Sequence, residues 1–125
     1  MWISTRSIHY RSADGSIPGW RPAIDVYEVE GEFHVVVDIA GVSEDRISVA
    51  LDGDVLSIRG EREPVCDDRQ RSVHEMGILY GPFEADVYLP HPVDSKSVSA
   101  VYESGLLHVT LKRVEPTKIS ISTRE

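Results

Sequence analysis

A chain of 125 residues, 41% hydrophobic and 27% charged, has the composition of one soluble globular domain long enough to bury a core without staples. Its formal net charge is −8, and its Lys and Arg residues are scattered, which argues against a nucleic-acid duplex or an anionic membrane as partner. One cysteine, Cys66, leaves no internal disulfide framework, no apolar run nears the ~20 residues of a membrane span, and the first residues lack a signal-peptide core. A cytoplasmic location is expected.

Residues 1–20 mix Trp2, Ile3, Ile8, Tyr10, Ile17 and Trp20 with Ser, Arg and Gly at no lasting period. Residues 1–21 therefore read as a short flexible arm with apolar residues along it. From Pro22 the period becomes two. In AIDVYEV, Ile24 and Val26 alternate with Asp25 and Tyr27. In EFHVVVDIAGV, Phe33, Val35, Val37 and Ile39 alternate with His34, Val36, Asp38 and Ala40. Two strands joined at Gly31 are expected. RISVALDGDVLSIRG repeats the pattern: Ile47, Val49 and Leu51 share one face, Asp52-Gly53 turns, and Val55, Leu56 and Ile58 return. The next stretch, EREPVCDDRQRSVHEMGILYG, is too long for a plain hairpin loop and reads as functional or ordered on something else. PFEADVYLP is a further strand closed by Pro90 and Pro92. SVSAVYE and LLHVTLKR form a last hairpin across Ser104 and the turn glycine Gly105, and Pro116 then releases a tail. With no helical period, seven or eight short strands predict an all-β, antiparallel immunoglobulin-like β-sandwich.

The residues offer little to catalysis. There is no nucleophile elbow and no Gly-rich loop opening a helix. The five histidines, His9, His34, His74, His91 and His108, lie far apart in sequence, and His34 and His108 point away from the apolar face, so they read as surface residues rather than metal ligands. The DGD at 52–54 is turn chemistry without the further oxygens of a calcium loop. Cys66 stands beside two aspartates, which oppose a thiolate, so an inert loop thiol is favoured over an intermolecular disulfide. Neither an enzyme nor a cofactor is expected.

The tail, TKISIS, carries Ile119 and Ile121 two residues apart. In an extended chain they point the same way, ~6.6 Å apart, and would fit two adjacent pockets at a sheet edge. Burying both yields about 3–6 kcal/mol, while ordering three residues takes back roughly the same. One such contact is weak and reversible; several in an assembly are strong through effective concentration. The competing reading is one more strand of the same sandwich.

Taken together, several stretches resemble the small heat shock proteins, which share the α-crystallin domain. PAIDVYE with DIAGV is similar to the family's P-x-I-D-I-Y-E and D-L-P-G-V, with Ala40 in place of Pro. ISVALDGDVLSIRGER, YGPFEADVYLP, AVYESGLLHVTLKR and the ISI of the tail resemble further elements in family order, over about Pro22 to Ile121. The resemblance implies an arm at 1–21, an α-crystallin domain at 22–113 and a C-terminal extension at 114–125. It implies an ATP-independent chaperone that holds partly unfolded clients, forms homodimers, and builds higher oligomers through the tail. The tail groove should lie between RISVALD and SVSAVYE, with Ile47, Val49 and Leu51 on one wall and Val98 and Ala100 on the other; Ser99 and Val101 are the alternative face. A strand swapped at dimerisation is expected at Ser72, Val73, His74, Glu75 and Met76, received by Ile24, Asp25, Val26 and Tyr27 of a partner subunit. Three positions depart from the family pattern: Ala85 for arginine, Gly77 for an acidic residue, and Lys112 for proline. With the short arm, these point to smaller or looser oligomers. A p23-like co-chaperone, a monomeric sandwich that binds one specific chaperone, is the alternative reading, and a sandwich-fold glycosidase or carbohydrate binder is a distant third.

Overall fold

Alternating side chains and left-handed turn residues set the architecture of this computed structural model, which describes residues 19–65, 69–116 and 118–124. Among these residues seven strands form: β1 (Ala23–Val29), β2 (Glu32–Asp38), β3 (Ile47–Asp52), β4 (Val55–Arg62), β5 (Gly81–Tyr88), β6 (Ser99–Glu103) and β7 (Leu106–Lys112). Single 3-10 turns, Glu44–Arg46 and Ser95–Ser97, precede β3 and β6. The β1–β2 and β6–β7 hairpins both close on two residues with positive φ, Glu30-Gly31 and Ser104-Gly105, a turn whose twist matches that of the strands. The β3–β4 turn falls one residue later than expected. Asp52 still pairs with Val55, and Gly53-Asp54 make the corner.

The strands form two antiparallel sheets, ordered β1-β2-β7-β6 and β3-β4-β5. Between them lies a core built from the apolar phase of each strand. Phe33, Val35 and Val37 of β2 and Leu107, Val109 and Leu111 of β7 face Leu56 and Ile58 of β4 and Phe83 and Val87 of β5. Ile39, Val42 and Leu89 close the ends. No charged or polar side chain is buried among the described residues. This is an antiparallel β-sandwich of the expected class.

Trp20 fixes how the sheets lie on each other. It forms a parallel bridge to Phe83, its N–H donates to Pro82 O at 3.1 Å, and its carbonyl accepts from Glu84 N–H at 3.1 Å. The indole Nε1–H donates to Gly81 O at 3.2 Å. With β1 starting three residues later, β5 lies at the β1 side of the sandwich, which leaves β3 at the β6 side. The ordered fold thus reaches back into the segment that the sequence groups with the arm.

Candidate functional site: open edges, a long loop and the tail

Edge strands carry unpaired N–H and C=O groups, so they are where this fold offers itself to other chains. Among the described residues β3 pairs with β4 alone, β6 with β7 alone, and β1 with β2 alone. Ile47, Val49 and Leu51 occupy the inward phase of β3, opposite Gly60, Ile58 and Leu56, and all three are only partly buried against the core. On β6, Ala100 lies opposite buried Val109 and Tyr102 opposite buried Leu107, so Val98, Ala100 and Tyr102 share the inward phase. Ser99 and Val101 belong to the outer face. Val98 is half-buried and Ala100 exposed. Tyr102 was not singled out by the sequence. Its hydroxyl lies 3.0 Å from Ile39 O and 2.8 Å from Val42 O, tying β6 to the connection that leads into β3. Only strand register could have pointed to it.

The hairpin glycine has a second duty. Gly105 has φ +81, and a Cβ there would meet Ala40 Cβ at 2.9 Å, while Gly105 O accepts from Ile39 N–H at 3.0 Å. The β6–β7 turn is thereby seated on the residues just past β2.

Ser72, Val73, His74, Glu75 and Met76 lie in the connection between β4 and β5, residues 63–80, and form no strand within this one chain. The side chains of Val65, Val73 and Ile78 are more than half exposed. The connection borders an open hollow of about 590 Å³ lined by its own residues, Val73, Met76, Ile78 and Tyr80 among them. Its base is fastened. Arg62 Nε–H donates to Leu79 O at 2.9 Å, Arg62 Nη1–H donates to Ala40 O at 3.0 Å, and the guanidinium lies 4.4 Å over the Trp20 ring. The receiving residues sit on β1, with Ile24 and Val26 inward, opposite Val37 and Val35, and Asp25 and Tyr27 outward. Exposed Val26 and Tyr27 leave this strand half covered.

Ile119 and Ile121 are 82% and 93% exposed, and residues 118–124 join neither sheet. Neither isoleucine fills a pocket of its own chain. Cys66, His9 and the apolar residues expected in the arm up to Ile17 lie outside the described residues.

The histidines require a correction. His34 and His108 do leave the apolar face, but they are not isolated. β2 and β7 pair with His34 opposite Thr110 and Val36 opposite His108, which makes the two rings diagonal neighbours; His34 Nδ1 lies 2.9 Å from His108 Nε2. Seventy-four residues of sequence separation conceal a contact that two-strand register creates. Among the described residues no cluster of three or more His, Cys, Asp or Glu side chains is placed to hold a metal ion, and no helix is long and apolar enough to cross a membrane.

The three departures also find places. Ala85 is buried in β5 opposite Ile58, where an arginine would have to enter the core. Gly77 is exposed, with open space around its Cβ direction. Lys112 N–H donates to Ser97 Oγ at 2.9 Å, a bond that proline has no hydrogen to make.

Comparison with known proteins agrees with this architecture. The model of the Hsp20/alpha crystallin family matches residues 25–124. The small heat shock protein C4 of Rickettsia felis is 31% identical over 97 residues, covering 78% of this chain and 60% of that protein. Heat shock protein 16 of Schizosaccharomyces pombe is 31% identical over 111 residues, covering 84% of this chain and 76% of the other. The crystal structure of a small heat-shock protein from Xylella fastidiosa superposes with a TM-score of 0.72 at 27% identity, covering 86% of this chain and 100% of that one. The chain spans 60%, 63% and 64% of the length of three curated relatives that it matches, two from Rickettsia felis and a spore protein from Stigmatella aurantiaca. On the family match and the sandwich together, the chain belongs to the Hsp20/alpha crystallin family.

Proposed function

We propose that this protein is an ATP-independent holdase of the cytoplasm, which binds partly unfolded proteins and keeps them from aggregating. The observation that carries the reading is the pairing of two features. Ile47, Val49 and Leu51 on β3, and Val98 and Tyr102 at β6, are only partly buried, and the chain's own Ile119 and Ile121 stand exposed to solvent. A destabilised client exposes the same kinds of group as the tail does, apolar side chains on extended backbone. Tail and client then compete for one seam, with Ile47, Val49, Leu51, Val98 and Ala100 as its walls. The tail of another copy occupies it at rest and yields when clients accumulate.

Assembly begins with a homodimer in which residues 72–76 add to β1 of the partner subunit. The exchange satisfies an exposed edge on each copy by the same two-fold operation. The net charge of −8 keeps loaded complexes dispersed.

The test is heat-induced aggregation of a thermolabile model client without nucleotide, followed by light scattering, alongside the mass of the protein in solution. Scattering is expected to fall in proportion to added protein, with a mass of two or more chains. Client aggregation at an unchanged rate would remove the holdase reading. A single-chain mass with no suppression would favour the p23-like alternative.

A further inference from the structure

The outer face of the four-stranded sheet carries a row that the chaperone reading does not use. Glu32 Oε1 lies 3.1 Å from His34 Nε2, and His34 Nδ1 lies 2.9 Å from His108 Nε2. Tyr27, opposite His34 on β1, stacks on its ring at a centroid distance of 4.9 Å and 4°. Partners on three sides leave the His34 side chain 18% exposed. A carboxylate only accepts, so in neutral His34 the tautomer with Nε2–H toward Glu32 presents the Nδ1 lone pair to His108. A histidine whose far nitrogen is held by a carboxylate, its near nitrogen turned toward a second imidazole, is an arrangement that orients the ring as a metal ligand. His108 borders a concave surface of about 460 Å³ with Val36, Val101, Glu103, Leu106 and Thr110, so its ring is open to solvent on that side.

The spacing suits one cation. The ring centroids are 5.2 Å apart. The facing nitrogens are 2.9 Å apart, which at metal–nitrogen bonds of about 2.0–2.1 Å gives an angle of roughly 90°; a turn of the rings that separates the nitrogens to ~3.3 Å brings it to roughly 110°. That is the tetrahedral value. Two water molecules entering from the open side complete the coordination. Imidazole ligands select zinc and its late first-row neighbours over magnesium and calcium.

We propose that His34 Nδ1 and His108 Nε2 form a two-histidine site for a zinc-like divalent cation, with Glu32 as its positioning residue. On binding, the proton on His108 Nε2 passes through solvent to its Nδ1, so that both rings bind as neutral imidazoles, and the cation joins β2 to β7 at the middle of the sheet.

Calorimetric titration of the full chain with zinc chloride near neutral pH, with magnesium chloride as comparator, tests this. One zinc per chain is expected, with no binding of magnesium and a rise in thermal unfolding temperature at saturating zinc. His34→Gln and His108→Gln should each abolish the site, and Glu32→Gln should weaken it about 10-fold or more. His91→Gln should leave it unchanged. An unsubstituted chain that takes up no zinc, or uptake that survives His34→Gln or His108→Gln, overturns the site. Full affinity in Glu32→Gln removes Glu32 from it. Should a histidine variant fail to fold, the ring resonances of the unsubstituted chain answer the same question. Zinc-dependent shifts at His34 and His108 support the site, and shifts confined to other histidines overturn it.

Discussion

β1 and β2 are the two arms of one hairpin and share one alternation, yet they fare differently. Phe33, Val35 and Val37 of β2 are at most 2% exposed, whereas Val26 of β1, directly opposite Val35, is 45% exposed. β2 has a strand on either side and a second sheet across its inner face; β1 is the last strand of its sheet. Its inward phase even holds a charge, Glu28, opposite Phe33 and 3.6 Å from Arg113. An inward charge on an edge strand discourages indiscriminate pairing while leaving the backbone open to a suitable partner. The alternation thus makes a strand, and position in the sheet decides whether its apolar face is finished within one chain.

Substitutions can widen or erase that contrast. The largest effect is expected inside: Phe33→Ala empties a fully packed site and should cost about 3–5 kcal/mol, read as a lower denaturant midpoint at unchanged slope. Gly60→Ala comes next. Its Cβ would collide with Arg46 O and the Phe83 ring, and forced repacking should cost about 1–3 kcal/mol on the same measurement. Tyr102→Phe removes the hydroxyl shared by Ile39 O and Val42 O and should cost about 1–2 kcal/mol, loosening β6 against the start of the β3 connection. At the open strand the order of effects reverses. Val26→Glu should change folding stability by no more than about 1 kcal/mol, while sedimentation shows dimers giving way to single chains. Ile119→Ala with Ile121→Ala should leave stability within about 0.5 kcal/mol and reduce the mass of any higher oligomer by light scattering. An unchanged mass would detach the tail from assembly.

Where the sequence spoke through local pattern, it was readable. The alternation from Ile24 to Ile39 and the Ser-Gly and Glu-Gly corners need only neighbouring residues to be understood, and the strands lie where these place them. What it left hidden depends on register between distant strands. The His34–His108 contact exists because β2 and β7 pair in one particular alignment, and nothing near either histidine announces it. Trp20 is a similar case. Its Ser- and Gly-rich surroundings read as an arm, whereas the indole finds Gly81 O and the Arg62 guanidinium across the fold. Strand parity favours Val98 and Ala100 over Ser99 and Val101 as the inward phase of β6, and the pairing of Ala100 with buried Val109 agrees.

The fastening at Arg62 has a mechanical consequence. This one guanidinium grips the far foot of the β4–β5 connection at Leu79, the start of the β2–β3 connection at Ala40 and the Trp20 ring. The two ends of the β4–β5 connection are therefore held together, like the feet of an arch. With roughly nine residues to a limb, its crown can stand at most ~30 Å from the base, about the width of a small domain. A connection of that reach is long enough to lie along a neighbouring molecule while both its ends stay on the sandwich that anchors them.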